Sequence, residues 1–429
     1  MRGIFFSRAV PAVLVTFLVM ASAVAGPVSA SASSPMSATV QAPAPVLASP
    51  PATAPRGAAM AAIAAASLQR MYNPSTGLFC RKPNANCWWD SANELTALVD
   101  YSRQAGSRTY LGDLARTYVR AEYAGPTGRL RGPFTDNWFD DDGWWALAWL
   151  DAYEWQPRET RYLTVAENLF GYIFKHGWST RTCGGGVWQN SVRDGKNAIA
   201  NGLYLELAAR LYLITRHSAY LTKAQNEWRW FMSSGMIDVI PGSADRTDPL
   251  HGGELVYDRV SRACVVRGGG FWTYNQGVFV GGLDDMYRAT GNRTYLSQAE
   301  AIAHCVTSLA CGGNTKYANP PVDVGGILTE PCKTPDCGGT RNRPSMLQYK
   351  GVFMRNLYCL NQTVRSSAYQ TFIADNARSI FAHDQNSMHQ FGFSWASRWD
   401  ARNGATEATE GSALSGLNAN IGGKSPASC

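Results

Sequence analysis

From Gly57 onward apolar residues recur at close to 3.6-residue spacing, and no convincing run of strict apolar–polar alternation interrupts them. The pattern predicts twelve helices, over about 57–71, 89–105, 108–122, 142–155, 160–175, 195–215, 218–234, 273–289, 293–309, 346–361, 365–383 and 408–420. A phrase repeats among them: a short polar turn, then Tyr-Leu or Tyr alone, with Ala four or five residues on. It occurs at Tyr110-Leu111 with Ala115, Tyr162-Leu163 with Ala166, Tyr220-Leu221 with Ala224, Tyr295-Leu296 with Ala299, and Tyr369 with Ala374. Each copy marks a helical hairpin that cannot bury its apolar face alone, so neighbours must pack side by side. The expected fold is therefore all-α, an (α/α)6 toroid of six helical hairpins, with an open solenoid as the alternative. The long connections 182–195, 238–271 and 311–344 each join one hairpin to the next, as does 134–142, which gathers them on one rim.

The first fifty-odd residues do not share this pattern. Arg2 and Arg8, the apolar stretch 9–25 and the small residues Ala23-Val24-Ala25 read as a signal peptide over 1–30. Residues 31–55 are rich in Ala, Pro and Ser without an apolar face and read as a disordered linker, leaving 56–429 as the catalytic domain. A secreted, extracellular monomer is expected. No later apolar stretch is long enough to span a bilayer, so no membrane partner is implied. The polar C-terminus argues against a lipid-anchored form.

Composition changes the picture in two respects. The formal charge is +7 over 429 residues, and no Lys/Arg cluster that would track phosphates occurs, which argues against nucleic acid. All ten cysteines follow the signal, and an even number in an exported chain reads as disulfides. Close pairs in sequence suggest Cys80 with Cys87, Cys305 with Cys311 and Cys332 with Cys337, although sequence leaves the connectivity open. With no CxxC pair and six His, a zinc site is disfavoured.

The stretch on which the rest converges is Trp138-Phe139-Asp140-Asp141-Asp142-Gly143-Trp144-Trp145. Three carboxylates walled by aromatics suit a sugar site, since aromatic faces stack on pyranose rings while carboxylates move protons. The competing reading is an N-cap and first turn, where acids satisfy orphan N–H groups and the positive end of the helix dipole. Other polar-aromatic helix starts supply candidate substrate contacts: Trp89 and Asn93, Trp138, Asn197 and Asn201, Trp272, Tyr274, Asn275 and Gln276, and Lys350 with Phe353. Any one of these is more often a satisfied core amide or a cap than a ligand contact; their recurrence at alternate helix starts directs them to one funnel.

The motifs 139–147, Gly185-Gly186-Val187-Trp188 with Lys196-Asn197-Ala198 and Asn201, Ala208-Ala209-Arg210-Leu211, Trp272-Thr273-Tyr274-Asn275-Gln276-Gly277 with Gly281-Gly282-Leu283, Gly326-Ile327-Leu328 with Glu330 and Cys332, and 349–355 resemble glycoside hydrolase family 76, the endo-α-1,6-mannanases. The resemblance covers nearly all the expected toroid, in order. It implies an α-1,6-linked mannan or manno-oligosaccharide as substrate, a retaining mechanism, and neither metal nor cofactor. Asp140 and Asp141 match the nucleophile and the acid/base, and Asp142 departs from a position where Asn or a similar residue is common. A cell-wall mannan transglycosylase and a non-catalytic mannan-binding protein are the alternatives.

Overall fold

The computed structural model describes residues 57–80, 87–241, 252–267, 271–308, 325–330, 345–401 and 404–422. The proposed signal peptide and linker lie outside them. Twelve α-helices occur among the described residues: α1 (Gly57–Gln69), α2 (Cys87–Ala105), α3 (Leu111–Arg120), α4 (Phe139–Trp155), α5 (Thr160–His176), α6 (Ala198–Thr215), α7 (Ser218–Ser233), α8 (Thr273–Thr290), α9 (Arg293–Thr307), α10 (Tyr349–Val364), α11 (Ser367–His383) and α12 (Glu407–Asn418). The even-numbered helices pack in sequence, α2 on α4, α4 on α6, α6 on α8, α8 on α10 and α10 on α12, and α12 returns to α2. That return closes the ring and makes the fold an (α/α)6 toroid.

Periodicity separates the two layers. α5 buries Tyr162, Val165, Ala166, Leu169, Phe170 and Ile173, an i, i+3, i+4, i+7 stripe that leaves its other face to water. α6 buries every residue from Ala198 to Leu211, because both its neighbours and the outer layer cover it. The Tyr of the repeated phrase belongs to the outer helices, where Tyr110, Tyr162 and Tyr369 are buried near the start of α3, α5 and α11.

Inner-to-outer connections are short, and three use only two residues: Arg216-His217, Gly291-Asn292 and Arg365-Ser366. In each, the first residue is left-handed (φ 60°, 72° and 56°) and ends one helix, and the second is extended and starts the next. Asn292 and Ser366 then accept the N–H of Thr294 and Tyr369 as side-chain caps. All long connections run from an outer helix to the next inner one, so they gather at the rim where the inner helices begin.

The described chain is almost wholly helical, as expected, and a few short strands lie in its loops. β1 (Tyr72–Asn73) pairs with β2 (Leu78–Phe79), β4 (Ile237–Pro241) with β5 (Gly252–Val256), and β6 (Arg259–Ser261) with both β3 (Gly195–Asn197) and β7 (Val266–Arg267), all antiparallel. They are two to five residues long, too short to register as alternation, and they exist because long rim loops must pair their backbone groups. Cys80–Cys87 forms as expected. Cys183–Cys264, 81 residues apart, was not foreseen; it ties the α5–α6 loop to the turn between β6 and β7. Cys305 and Cys359 are also disulfide-bonded. Cys311, Cys332 and Cys337 lie outside the described residues, as does most of the 311–344 connection. Among the described residues no helix is long and apolar enough to cross a membrane.

Candidate active site

The six inner helices present their N-termini to the loop-bearing rim, and a polar residue within the first turn or so of each ties down a loop. Ser91 accepts the N–H of Phe79, Asp142 that of Asp136 at 2.9 Å, and Glu410 that of Phe391. Asn201 accepts from Val187 N and donates to Val187 O and Asn197 O. Gln276 does the same to Val256 N and O and to Trp272 O. Lys350 donates to Phe393 O and stands over the Phe393 and Trp395 rings. In five of the six the next residue is glycine, and it faces the following inner helix. A Cβ on Gly277 would come within 2.7 Å of the Phe353 backbone, and one on Gly351 within 2.7 Å of the Ser412 backbone. Gly143 faces Leu203, Gly202 faces Val278 and Gly411 faces Glu94 in the same way. The sixth, α2, has Ala92, fully buried. A tether followed by a small residue lets adjacent inner helices approach while fixing the loop above them.

These hydrogen bonds separate residues that the sequence grouped together. Asn201 and Gln276 are fully buried and use both amide donors and the carbonyl within the protein, so they are loop tethers. Lys350, 2% exposed, is another. Phe353 is fully buried against Gly277, away from any open surface. Asn93 is also interior: its Oδ1 accepts from Arg355 at 2.9 Å, and Arg355 lies 5.5 Å over Trp144. Asn197 starts α6, and its Oδ1 is buried without a hydrogen-bond partner.

The three aspartates of α4 differ sharply in environment. Asp142 is fully buried and spent on the Asp136 N–H. Asp140, 9% exposed, accepts the Asp141 N–H at 3.2 Å and a long contact from Gln189 Nε2 at 3.4 Å. Asp141 is more open than either neighbour. Burial pushes Asp140 up to about 7, with the Gln189 contact and the backbone N–H groups opposing. Asp141 is raised well above the usual carboxylate range by burial and by the charges of Asp136, Asp140 and Asp142. Asp136, held by the Trp138 N–H at 2.6 Å and raised to about 6, is therefore a fourth member of the cluster that the sequence reading missed. Its signal was available: Asp136 lies one helical turn's length before Asp140.

Gln189 reaches Asp140 because the α5–α6 loop is held from several sides. Phe139 N donates to Gln189 O at 2.8 Å, and Lys196, fully buried, donates to the carbonyls of Ser179, Thr182 and Gly185. Gly185 and Gly186 lie flat on Trp230, where a Cβ on Gly185 would come within 2.6 Å of the indole.

Aromatics line the neighbouring helix starts. Tyr274 stacks on Tyr349 with centroids 3.7 Å apart, and Trp272 meets Tyr349 edge-on at 5.8 Å. Trp89 stands 6.3 Å from Trp144, and Trp138 is 43% exposed on the rim. Burial above all, with the charges of Asp258 and Asp140 adding to it, raises the hydroxyls of Tyr274 and Tyr349. Asp258, on the turn between β5 and β6, is oriented by Asn275 Nδ2 at 3.2 Å. Nothing in the sequence near Asp258 marked it, because only pairing of β3 with β6 brings that turn over α6, where Ala198 N donates to Asp258 O.

A helical toroid with a carboxylate pair at the foot of an aromatic-lined rim is an architecture of glycan-processing enzymes. The chain belongs to glycosyl hydrolase family 76, whose model matches residues 57–428. It is 27% identical over 256 residues to the mannan endo-1,6-alpha-mannosidase DFG5 of Candida albicans, covering 55% of this chain and 52% of that protein. It is 23% identical over 352 residues to DCW1 of Saccharomyces cerevisiae, described by the same activity, covering 78% and 72%. The matched region thus spans about half the length of the Candida relative. Among solved structures, the GH76A alpha-1,6-mannanase of Salegentibacter sp. HEL1_6 superposes with TM-score 0.68 at 21% identity over 85% of this chain and 98% of that one. Dfg5 of Chaetomium thermophilum, solved with glucosamine, superposes with TM-score 0.68 at 18% identity, covering 86% and 92%.

Proposed function

We propose that this protein is a secreted, endo-acting α-1,6-mannanase that hydrolyses mannan backbones with retention. The observation that carries the reading is the division among the three aspartates: Asp142 is consumed by a backbone N–H, whereas Asp140 and Asp141 remain at the N-terminus of α4 beside the aromatic rim. The mannosidase names of the relatives and an inactive Salegentibacter variant solved with alpha-1,6-mannotetrose supply the substrate class. Trp138, Trp272 and Tyr274, the exposed or half-buried rings at these helix starts, would stack on mannose units, with the half-buried Asp258 carboxylate for hydroxyls.

In this scheme Asp141, kept protonated by burial and by the neighbouring carboxyls of Asp136 and Asp140, donates its proton to the interglycosidic oxygen as the C1–O bond breaks. Asp140, whose charge is favoured by the Asp141 N–H, Gln189 and the helix dipole, attacks C1 and forms a glycosyl ester. The Asp141 carboxylate then takes a proton from water, the oxygen of which bonds to C1 and releases Asp140. General-acid help is worth roughly 10²- to 10⁴-fold when the leaving group is a sugar hydroxyl, and little when it is already a stable anion. Asp141→Ala is therefore expected to lose most activity on mannan, to form the glycosyl-enzyme from an activated aryl mannoside, and to recover turnover with azide. Asp140→Ala is expected to lose both substrates. The reverse pattern would exchange the two roles, and a first-formed β anomer would remove retention.

A further inference from the structure

A groove of about 460 Å³ runs along the outer wall between α5 and α7, with α6 as its floor. One wall is aromatic: Phe174, 39% exposed, and Trp178, stacked on Tyr204 at 5.7 Å. The other is a polar stripe on α7, Ser218, Thr222 and Asn226, all exposed. Their i, i+4, i+8 spacing puts a hydroxyl or amide every ~6 Å along the helix, close to the length of one hexose unit. No carboxylate lines the groove, and its one cation, Lys223, lies 4.6 Å over the Phe174 ring at the edge. Tyr204 on the floor is 1% exposed, and burial together with the charge of Glu227 raises its hydroxyl with no hydrogen bond opposing.

We propose that this groove is a second saccharide-binding site, separate from the Asp140–Asp141 centre, that takes a segment of a neutral hexose polymer. The identity of the polymer as α-1,6-mannan rests on the function proposed above. Flat rings facing hydrogen-bonding groups, with almost no formal charge, match a pyranose, which shows C–H groups on its faces and hydroxyls at its edges. A groove open at the surface admits the middle of a chain, and simultaneous engagement of groove and funnel raises the affinity for polymer over that for short oligomers.

The test uses Thr222→Arg/Asn226→Leu, which fills the groove at two exposed positions, and Phe174→Ala, which removes its outer wall without adding bulk. Each is introduced into the wild type and into Asp140→Asn, the latter so that polymer is not digested during binding. Retardation of the Asp140→Asn chain in gels containing linear α-1,6-mannan is expected to weaken roughly tenfold in both groove variants. In the wild-type background kcat/KM on α-1,6-mannotetraose is expected to stay within about twofold. Unchanged retardation in both variants overturns the proposal, as does a wild-type chain retarded by no neutral polysaccharide. Retardation by a different neutral hexan, lost in the groove variants, upholds the groove and refutes the mannan reading.

Discussion

Asp142→Asn separates the tether from the proposed catalytic pair in one residue. In the protein, one Asp142 oxygen accepts the Asp136 N–H at 2.9 Å and the other is buried without a partner. Burial and the charges of Asp136 and Asp140 raise its pKa well above the usual range, so the group is held as a neutral acid. Asn keeps the acceptor, the shape and the neutrality, and the expected change in stability near pH 5 is under about 1 kcal/mol. Asp142→Ala instead strands the Asp136 N–H in the interior, a loss of about 1–3 kcal/mol. The sign of the pH dependence follows from linkage. Above the unfolded-state pKa of about 4, the unfolded wild type releases this proton while the folded chain retains it, so the wild type loses stability as pH rises. The Asn variant lacks that loss, and its Tm relative to the wild type is expected to climb as pH rises above about 4. Differential scanning calorimetry across that range, paired with reducing-sugar release from mannan, reads both. An Asn variant that folds normally yet is as inactive as Asp140→Asn would refute the assignment and move the reactive pair one residue along.

The other tethers and the unforeseen disulfide make further predictions. Asn201→Ala removes three hydrogen bonds and leaves both Val187 backbone groups unpaired, so urea denaturation is expected to show a loss of about 2–5 kcal/mol, with kcat reduced per folded molecule because Gln189 is no longer held against Asp140. Replacing Cys183 and Cys264 together by Ser releases a closure between residues 81 apart and is expected to cost about 4–5 kcal/mol by chain entropy, measured in the same way. Glu330, Asp384 and Glu410 are pushed by burial up to about 7, 7 and 8. The folded chain therefore holds protons that the unfolded chain releases, and stability of the wild type is expected to fall as pH rises from about 4 to about 8. A Tm that rises steadily across that interval would contradict the burial of these carboxyls.

Much of the architecture was legible because it is written in local periodicity. The 162, 165, 166, 169, 170, 173 stripe announces a one-faced helix before any contact is known, whereas the complete burial of 198–211, which includes Asn201, Glu206 and Arg210, is seen only in the folded chain. The adjacency of Asp140 and Asp141 and the aromatic flanks of the same stretch were equally plain. One repeat was present in the letters and overlooked: Asp142-Gly143, Asn201-Gly202, Gln276-Gly277, Lys350-Gly351 and Glu410-Gly411 each pair a tether with a close approach between inner helices.

What the tertiary structure alone decided was the role of each polar residue at a helix start. Asn197 and Asn201 are the same amino acid one turn apart, yet Asn201 saturates its amide on Val187 while Asn197 keeps a buried oxygen unpaired. The difference lies in which backbone groups a distant loop brings within about 3 Å, and a hydrogen bond depends on that position and not on residue type. Asp258 and the Cys183–Cys264 bond depend in the same way on long-range closure of the rim loops. Helical periodicity is a property of neighbours in the chain and survives in the sequence; satisfaction of a buried polar group is a property of neighbours in space, and only the closed ring supplies them.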